Sequence, residues 1–167
     1  GVWKALRAME AKIGCVYGVS VGAINGAMLA SGNFDTAEKL WGELKSENVL
    51  EISESARRLI NGNFSLEDVV EVAQEIVEDG GLDVSPLEDL LSEQIDEDLV
   101  RKSEIDYGLV TWSLSEGEEK LLYISDIPEG KLVDYILASA NFPMFQRQVI
   151  DGEIFIDGGV SRHLAIE

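Results

Sequence analysis

The segment YGVSVGAINGAMLASG, residues 17–32, constrains the fold more than any other part of this chain. The apolar run IGCVYG is typical of a buried strand, and the small-residue run VGAINGAMLASG is typical of a helix that ends at Gly32. Only Ser20 and its immediate neighbours separate the two, so the strand must turn directly into the helix. A buried strand followed at once by a close-packed helix predicts an α/β layer fold.

The turn has the pattern G-x-S-x-G, with Gly18 and Gly22 on either side of Ser20. In a sharp strand–turn–helix connection, side chains two residues before and two residues after the serine would clash, and glycine avoids that clash. The hydroxyl would lie near the start of the helix, where the backbone N–H of Val21 and the helix dipole stabilise negative charge. This pattern predicts a nucleophilic serine. A glycine-rich turn that binds phosphate is the alternative, although the common phosphate-loop and dinucleotide motifs are absent.

The remainder of the chain alternates between helical and strand-like patterns. An acidic helical insertion is expected over about residues 35–105, with helix starts at Ser65 and Ser85. DYGLVTWSLSEGEEKLLYISD then predicts a hairpin that turns at Gly117, and GKLVDYILASANF predicts a helix. RQVIDGEIFIDGG predicts two short strands around Asp151-Gly152. No linker or repeat interrupts this order, so we expect a single domain over residues 1–167.

Composition excludes several classes of function. A hydrophobic fraction of 46% indicates a folded core, and no apolar stretch approaches the roughly 18 residues that cross a bilayer. The formal net charge of −19 argues against a nucleic-acid partner and predicts repulsion from an anionic membrane surface. We expect no metal and no cofactor. Cys15 is the one cysteine, which predicts a small buried side chain and favours a reducing, cytoplasmic compartment.

A nucleophilic serine needs a base, and the sequence offers two. Asp157 ends the short strand-like run FID, and Gly158 and Gly159 after it allow a tight turn and a close approach to the serine. An aspartate in this place would accept the proton directly. His163 is the one histidine, but it follows Asp157 so closely that a triad of separate loops is disfavoured.

The two ends of the chain together resemble the patatin-like phospholipase family. GVSVG is similar to that family's G-x-S-x-G elbow, DGG to its D-G-[GA] motif, and ILASANFPMF to the segment before the second motif. The resemblance implies a three-layer α/β/α fold with a central, mostly parallel sheet and a helical insertion. It also implies a lipid acyl hydrolase of the phospholipase A or lysophospholipase type. Ser20 would attack an acyl ester of a phospholipid or another lipid, and Asp157 would be the base.

The resemblance also suggests a place for the lipid. Apolar residues of the middle helices could line or cover an acyl pocket, although the same residues could be ordinary core. These residues are Phe34, Trp41, Phe64 and Val69.

The sequence departs from the family pattern in three places. A glycine-rich loop G-G-G-x-[RK]-G and the strand before it supply the family's oxyanion hole, and neither is present ahead of the first helix. We therefore expect a fragment of a longer domain, a sheet without its first strand, and impaired turnover. His163 and Ala165 stand where the family has asparagine and proline.

Two other functions remain open beside the dyad hydrolase. One is a non-catalytic module that binds lipid or a protein partner, and the other is a serine esterase that depends on His163. Peripheral contact with a membrane and self-association are compatible with all three.

Overall fold

A computed structural model describes residues 1–43, 53–60, 62–63, 65–78, 80–142 and 145–161. Phe64, His163 and Ala165, about which predictions were made from the sequence, lie outside the described residues. The elements in chain order are α1 (Val2–Ala8), β1 (Cys15–Val19), α2 (Val21–Ala30), α3 (Phe34–Glu43), α4 (Glu54–Ile60), α5 (Leu66–Glu78), α6 (Ser85–Gln94), α7 (Glu97–Arg101), β2 (Asp106–Ser113), β3 (Glu118–Tyr123), α8 (Leu132–Ser139), β4 (Gln148–Ile150), β5 (Glu153–Asp157) and a 3₁₀ turn (Gly158–Val160).

One mixed sheet contains the five strands, so the predicted α/β class is confirmed. The parallel pairing predicted for the central sheet is present between β1 and β2. The pairings of β2 with β3, of β2 with β5 and of β4 with β5 are antiparallel. The β2–β3 pair and the β4–β5 pair are antiparallel because a short turn joins the two strands of each pair and reverses the chain direction.

Both predicted hairpin turns are present. The β2–β3 turn has Gly117 at φ +71°, and its N–H donates to the Ser113 carbonyl at 2.9 Å. Between β4 and β5, Asp151 and Gly152 both have positive φ, at 52° and 87°. Two successive positive φ values are typical of the type I′ turn that Asp-Gly favours.

The register of β2 brings two strand ends together. β3 occupies one edge of β2, so β1 and β5 must share the other edge. β1 runs parallel to β2 and ends with Val19 opposite Val110. β5 runs the other way and ends with Asp157 opposite Thr111, the next residue. The carboxyl ends of β1 and β5 therefore meet over the middle of β2.

The main core lies between one face of the sheet and the helices. Tyr107 and Leu109 of β2 are fully buried against residues of α2, α6, α7 and α8. The Tyr107 hydroxyl donates to the Ala23 carbonyl at 3.0 Å. A Cβ at Gly26 would lie 3.1 Å from the Tyr107 ring, so a larger residue there would push α2 away from the sheet.

The opposite face of the sheet is less covered. Tyr17, Trp112 and Tyr123 are directed to this side and are all partly exposed. In the described ranges, the helices that contribute buried side chains to the main core pack on one face of the sheet, so these ranges show one of the two helical layers of the predicted α/β/α arrangement. No helix within them is long and apolar enough to cross a membrane.

The prediction that Cys15 is buried was wrong. Its side chain is exposed. Cys15 is the first residue of β1, which is the outer strand of the described sheet, and it faces away from the main core. An apolar run predicts a strand, but it does not show which of its side chains a second layer covers.

Candidate active site

Ser20 occupies a strained turn between β1 and α2. Its backbone has φ 57° and ψ −129°, a conformation that residues other than glycine rarely adopt. A Cβ on Gly18 would lie 2.2 Å from the carbonyl carbon and oxygen of Gly22, so only glycine fits at position 18. The strand can enter the helix this sharply because Gly18 allows the two backbone segments to approach.

The expectation for Gly22 was wrong in its physical reason. A Cβ at Gly22 would meet nothing within 4 Å, so its side chain would cause no clash. The clash is one-sided because the backbone of Gly22, and not its α-carbon substituent, faces Gly18.

Asp157 lies against Ser20. The Ser20 hydroxyl donates to Oδ2 of Asp157 at 2.6 Å, although 137 residues separate them. Asp157 is only 4% exposed, and the Asn141 carbonyl accepts its backbone N–H at 2.8 Å. The side chain is therefore held in place by β5 on one side and by the end of α8 on the other.

The two glycines after Asp157 have separate roles in the geometry. A Cβ on Gly158 would lie 2.4 Å from the Val110 carbonyl oxygen, so the turn can cross β2 only with glycine there. The N–H of Gly159 donates to Oδ1 of Asp157 at 2.7 Å. This bond occupies one carboxylate oxygen and leaves the other directed at Ser20.

Ser139 is a site residue that the sequence analysis did not single out. Its hydroxyl accepts the backbone N–H of Ser20 at 2.9 Å and donates to the Val110 carbonyl at 2.6 Å. Ser139 is fully buried. Ser139 therefore connects the Ser20 elbow to β2. In the sequence, the one signal for this role is a serine at the end of the otherwise apolar helical segment ILAS.

Two further buried polar residues join the elements around the site. The Thr111 hydroxyl lies 3.1 Å from the Ala138 carbonyl and 2.9 Å from the Ile156 carbonyl. The Asn141 amide donates to the Phe155 carbonyl at 3.1 Å. Because buried polar groups are costly unless they are bonded, these contacts fix α8 and β5 relative to β2.

The first turn of α2 is where negative charge would be stabilised. The first N–H groups of a helix have no acceptor within the helix, and Val21 is the first residue of α2. The Ser20 N–H is not free for this purpose because Ser139 accepts it. Val21 is half exposed, so a molecule that reaches Ser20 also reaches this turn.

This geometry is a serine on a strained elbow, paired with a buried aspartate. The sequence model of patatin-like phospholipases matches residues 1–167. The chain belongs to the patatin-like phospholipase family. This is a family of lipid acyl hydrolases, and it is the family that the paired G-x-S-x-G and D-G-G motifs predicted. No curated protein sequence matches the chain.

The remaining predicted residues are not brought to the site by the described structure. Val69 lies on α5 and is 40% exposed. Phe34 and Trp41 lie on α3, beside α2. Among the described residues, no group of three or more His, Cys, Asp or Glu side chains could hold a metal ion.

Proposed function

We propose that this chain is a lipid acyl hydrolase that uses Ser20 as nucleophile and Asp157 as base. The observation that carries the proposal is the 2.6 Å hydrogen bond from the Ser20 hydroxyl to Oδ2 of Asp157. The donor is directed at a carboxylate whose other oxygen is already occupied by the Gly159 N–H. A general base must lie within about 2.6–3.2 Å of the proton that it accepts, and Asp157 meets this condition.

The proposed reaction has two halves. Asp157 takes the hydroxyl proton as the Ser20 Oγ attacks the carbonyl carbon of a lipid ester. The tetrahedral intermediate collapses, the ester bond breaks, and the departing alcohol takes the proton from Asp157. Asp157 then accepts a proton from water, the water oxygen attacks the acyl-enzyme, and the fatty acid leaves as the proton returns to Ser20. No histidine is needed in either half.

The oxyanion of the intermediate would lie at the first turn of α2. The Val21 N–H is the donor that we assign to it, helped by the dipole of that helix. Loss of one oxyanion donor typically costs about 10²–10³ in rate, so a site with few donors is slow. Because the Val21 N–H is the one backbone donor that we assign to the oxyanion, we expect slow acylation.

A fluorophosphonate probe tests the nucleophile directly, because it forms a stable bond to an activated serine. We expect the probe to label the folded chain at Ser20, Ser20→Ala to abolish labelling, and Asp157→Asn to slow it by about 10²–10⁴. Ser31→Ala is the matched control, since Ser31 ends the same helix and its hydroxyl bonds only locally to the Met28 carbonyl. Absence of labelling in the folded chain would exclude the proposal.

His163→Asn separates the dyad from a histidine triad. The dyad predicts labelling at the rate of the unmodified chain, whereas the triad predicts near-complete loss. Asparagine keeps a polar side chain of similar size, so a large loss would have to come from missing base chemistry.

A non-catalytic lipid-binding module is the second function, favoured by one observation. The Ser20 N–H is bonded to Ser139, which reduces the backbone donors near the hydroxyl. That function predicts lipid binding that survives Ser20→Ala, with no ester turnover by the unmodified chain.

A further inference from the structure

Helix α5 directs polar side chains at α4. The Asp68 carboxylate accepts the Arg58 Nε–H at 2.8 Å, and the Ser55 hydroxyl donates to the Glu71 carboxylate at 2.6 Å. Asp68 and Ser55 are buried. The hydrogen bonds from Arg58 and from Ser65 hold the pKa of the Asp68 carboxyl well below its usual range, so the group is ionised at neutral pH. Charged and hydroxyl groups therefore join α5 to α4, where helices usually bury apolar side chains.

The opposite side of α5 is apolar and exposed. Four apolar side chains form this surface, which we call the α5 stripe: Leu66, Val69, Val70 and Ala73. At about 3.6 residues per turn, they lie within an arc of about 100° that is centred opposite Asp68 and Glu71. Leu66 is 84% exposed and Val70 is 54% exposed. Among the described residues, neither apolar cluster of the core includes a side chain of α4 or α5.

The charge of α5 narrows the choice of what could cover the stripe. Its sequence contains five acidic residues and no basic one, and Glu67 and Glu78 lie along one side of the stripe. A second copy of the chain would bring a second acidic helix against this side, and like charges in contact are destabilising. Helices that lie in a membrane surface usually have Lys and Arg on their polar face, which α5 lacks. A helix with an apolar face and neighbouring Lys or Arg residues complements both the stripe and its acidic side.

We propose that the α5 stripe binds a basic amphipathic helix of a partner protein. The four side chains of the stripe have the spacing i, i+3, i+4 and i+7 by which helices recognise one another. The partner's apolar side chains would pack on the stripe, and its Lys or Arg side chains would pair with Glu67 and Glu78. The bonds of Asp68 and Glu71 to α4 keep the stripe directed outward. This inference does not depend on the chemistry proposed for Ser20.

A synthetic helical peptide of leucine and lysine, with leucine at helical spacing, is the probe for this surface. The peptide carries fluorescein, and its anisotropy is followed as the full chain is added. A peptide with glutamate in place of lysine tests the charge, and a peptide with the same residues in scrambled order tests the apolar face. We expect the leucine–lysine peptide to bind more tightly than either control by about ten-fold or more. Equal affinity for the glutamate peptide or for the scrambled peptide would contradict the proposal.

Substitutions in the stripe show where the peptide binds. Leu66→Gln and Val70→Gln change exposed side chains, so both variants should fold as the unmodified chain does. Each should weaken binding of the leucine–lysine peptide by about ten-fold, because burial of one aliphatic side chain has about that effect. Leu99→Gln is the matched control, since Leu99 is a similarly exposed apolar residue on another helix, α7. Equal weakening by Leu99→Gln would exclude the proposal.

Two variants of equal net charge separate recognition by α5 from attraction to the acidic chain as a whole. Glu67→Gln and Glu104→Gln each remove one exposed carboxylate, but only Glu67 lies beside the stripe. At low salt, Glu67→Gln should weaken binding of the leucine–lysine peptide by about two- to five-fold, and Glu104→Gln should leave it unchanged. Equal effects of the two variants would mean that net charge alone attracts the peptide, which would overturn the proposal.

The same stripe variants identify the other possible occupants. Binding to phosphatidylcholine vesicles that Val70→Gln abolishes would assign the stripe to a lipid surface. A dimer in sedimentation that Val70→Gln dissociates would assign it to a second copy of the chain. Either result would overturn the proposal, whereas peptide binding that is lost only in the stripe variants supports it.

Discussion

The hydroxyl and the backbone N–H of Ser20 are held by residues from two different parts of the chain. Asp157 accepts the hydroxyl, and Ser139 accepts the N–H. The second bond matters because the elbow is strained, with φ at 57°, and strained backbone persists only where its surroundings hold it. Ser139 is thus a positioning residue for the nucleophile.

Ser139→Ala tests this role. It leaves the Ser20 N–H and the Val110 carbonyl without their partner, so we expect a loss of about 1–3 kcal/mol in the free energy of unfolding. The elbow should also relax, and a shift of about 1 Å in a reacting group can slow a reaction by about 10²-fold. Fluorophosphonate labelling of the folded variant should therefore be slower by about ten-fold or more.

The same Ser31→Ala control separates positioning from a general effect of losing a serine in this region. A purely structural role for Ser139 would lower the melting temperature and leave the labelling rate of the folded fraction unchanged. That result would contradict the assignment.

The predicted need for glycine agrees with the structure at two positions where a short motif carries the geometry. Gly18 and Gly158 are required because each faces a backbone segment a few ångströms away, and both lie in recognisable patterns. Ser139 was missed because its role depends on α8 meeting an elbow 119 residues earlier in the chain. The error on Gly22 has a similar cause. The pattern does not show that Gly22 contributes its backbone, and not its α-carbon substituent, to the close contact with Gly18.

At the scale of elements, local hydrogen bonds decide where helices begin. Ser65 was predicted to cap α5, and the reciprocal bonds of a capping box are present: Asp68 N–H to the Ser65 hydroxyl, and Ser65 N–H to the Asp68 carboxylate. The predicted cap at Ser85 was wrong by one residue, because α6 already includes Ser85. Val84 is the residue at the N-cap, and Ser85 donates both its N–H and its hydroxyl to Asp83 just before the helix.

Glu97 connects two elements that are distant in the sequence. Its carboxylate accepts bonds from Arg101 at 2.7 Å, from the Gly130 N–H at 2.8 Å and from the Leu132 N–H at 3.1 Å. Leu132 is the first residue of α8, so Glu97 supplies both a cap and a favourable charge at that helix start. Burial by itself raises the pKa of Glu97, but the hydrogen bonds outweigh burial, and the pKa lies below its ordinary value.

Glu97→Gln should lower the free energy of unfolding by about 1–3 kcal/mol at pH 7, because bonds to a charged acceptor are stronger than bonds to an amide. A lowered pKa means that the ionised carboxylate stabilises the fold above the ordinary pKa and that this stability is lost as pH falls. The difference between the two proteins should therefore shrink below about pH 4, as followed by urea unfolding at several pH values.

Asp98→Asn provides the matched control for this prediction. Asp98 lies in the same helix and pairs with Lys102, but both side chains are about three-quarters exposed, and solvent screens such pairs. We expect little change in stability at any pH. An equal effect from both variants would show that charge in α7, and not the cap on α8, is responsible.

At the scale of the whole molecule, the sheet is what brings the site together. The sequence predicted the strands and the α/β class because alternation and turn residues are local signals. It did not predict that β1 and β5 would share one edge of β2 with their carboxyl ends meeting, because strand order is set by long-range packing. The Ser20–Asp157 contact could be inferred from the family resemblance, and the register of β2 gives it a physical explanation.

The net charge of −19 acts on the molecule as a whole and should govern which lipid surfaces it approaches. We expect weaker binding to phosphatidylglycerol vesicles than to phosphatidylcholine vesicles at 10 mM salt, measured by vesicle flotation. Raising the salt to 100 mM shortens the screening length from about 30 Å to about 10 Å, so the difference should narrow. The phosphatidylcholine vesicles, which carry no net charge, control at both salt concentrations for salt effects on the protein itself. Tighter binding to the anionic vesicles at low salt would mean that a local basic surface, rather than the net charge, determines the approach.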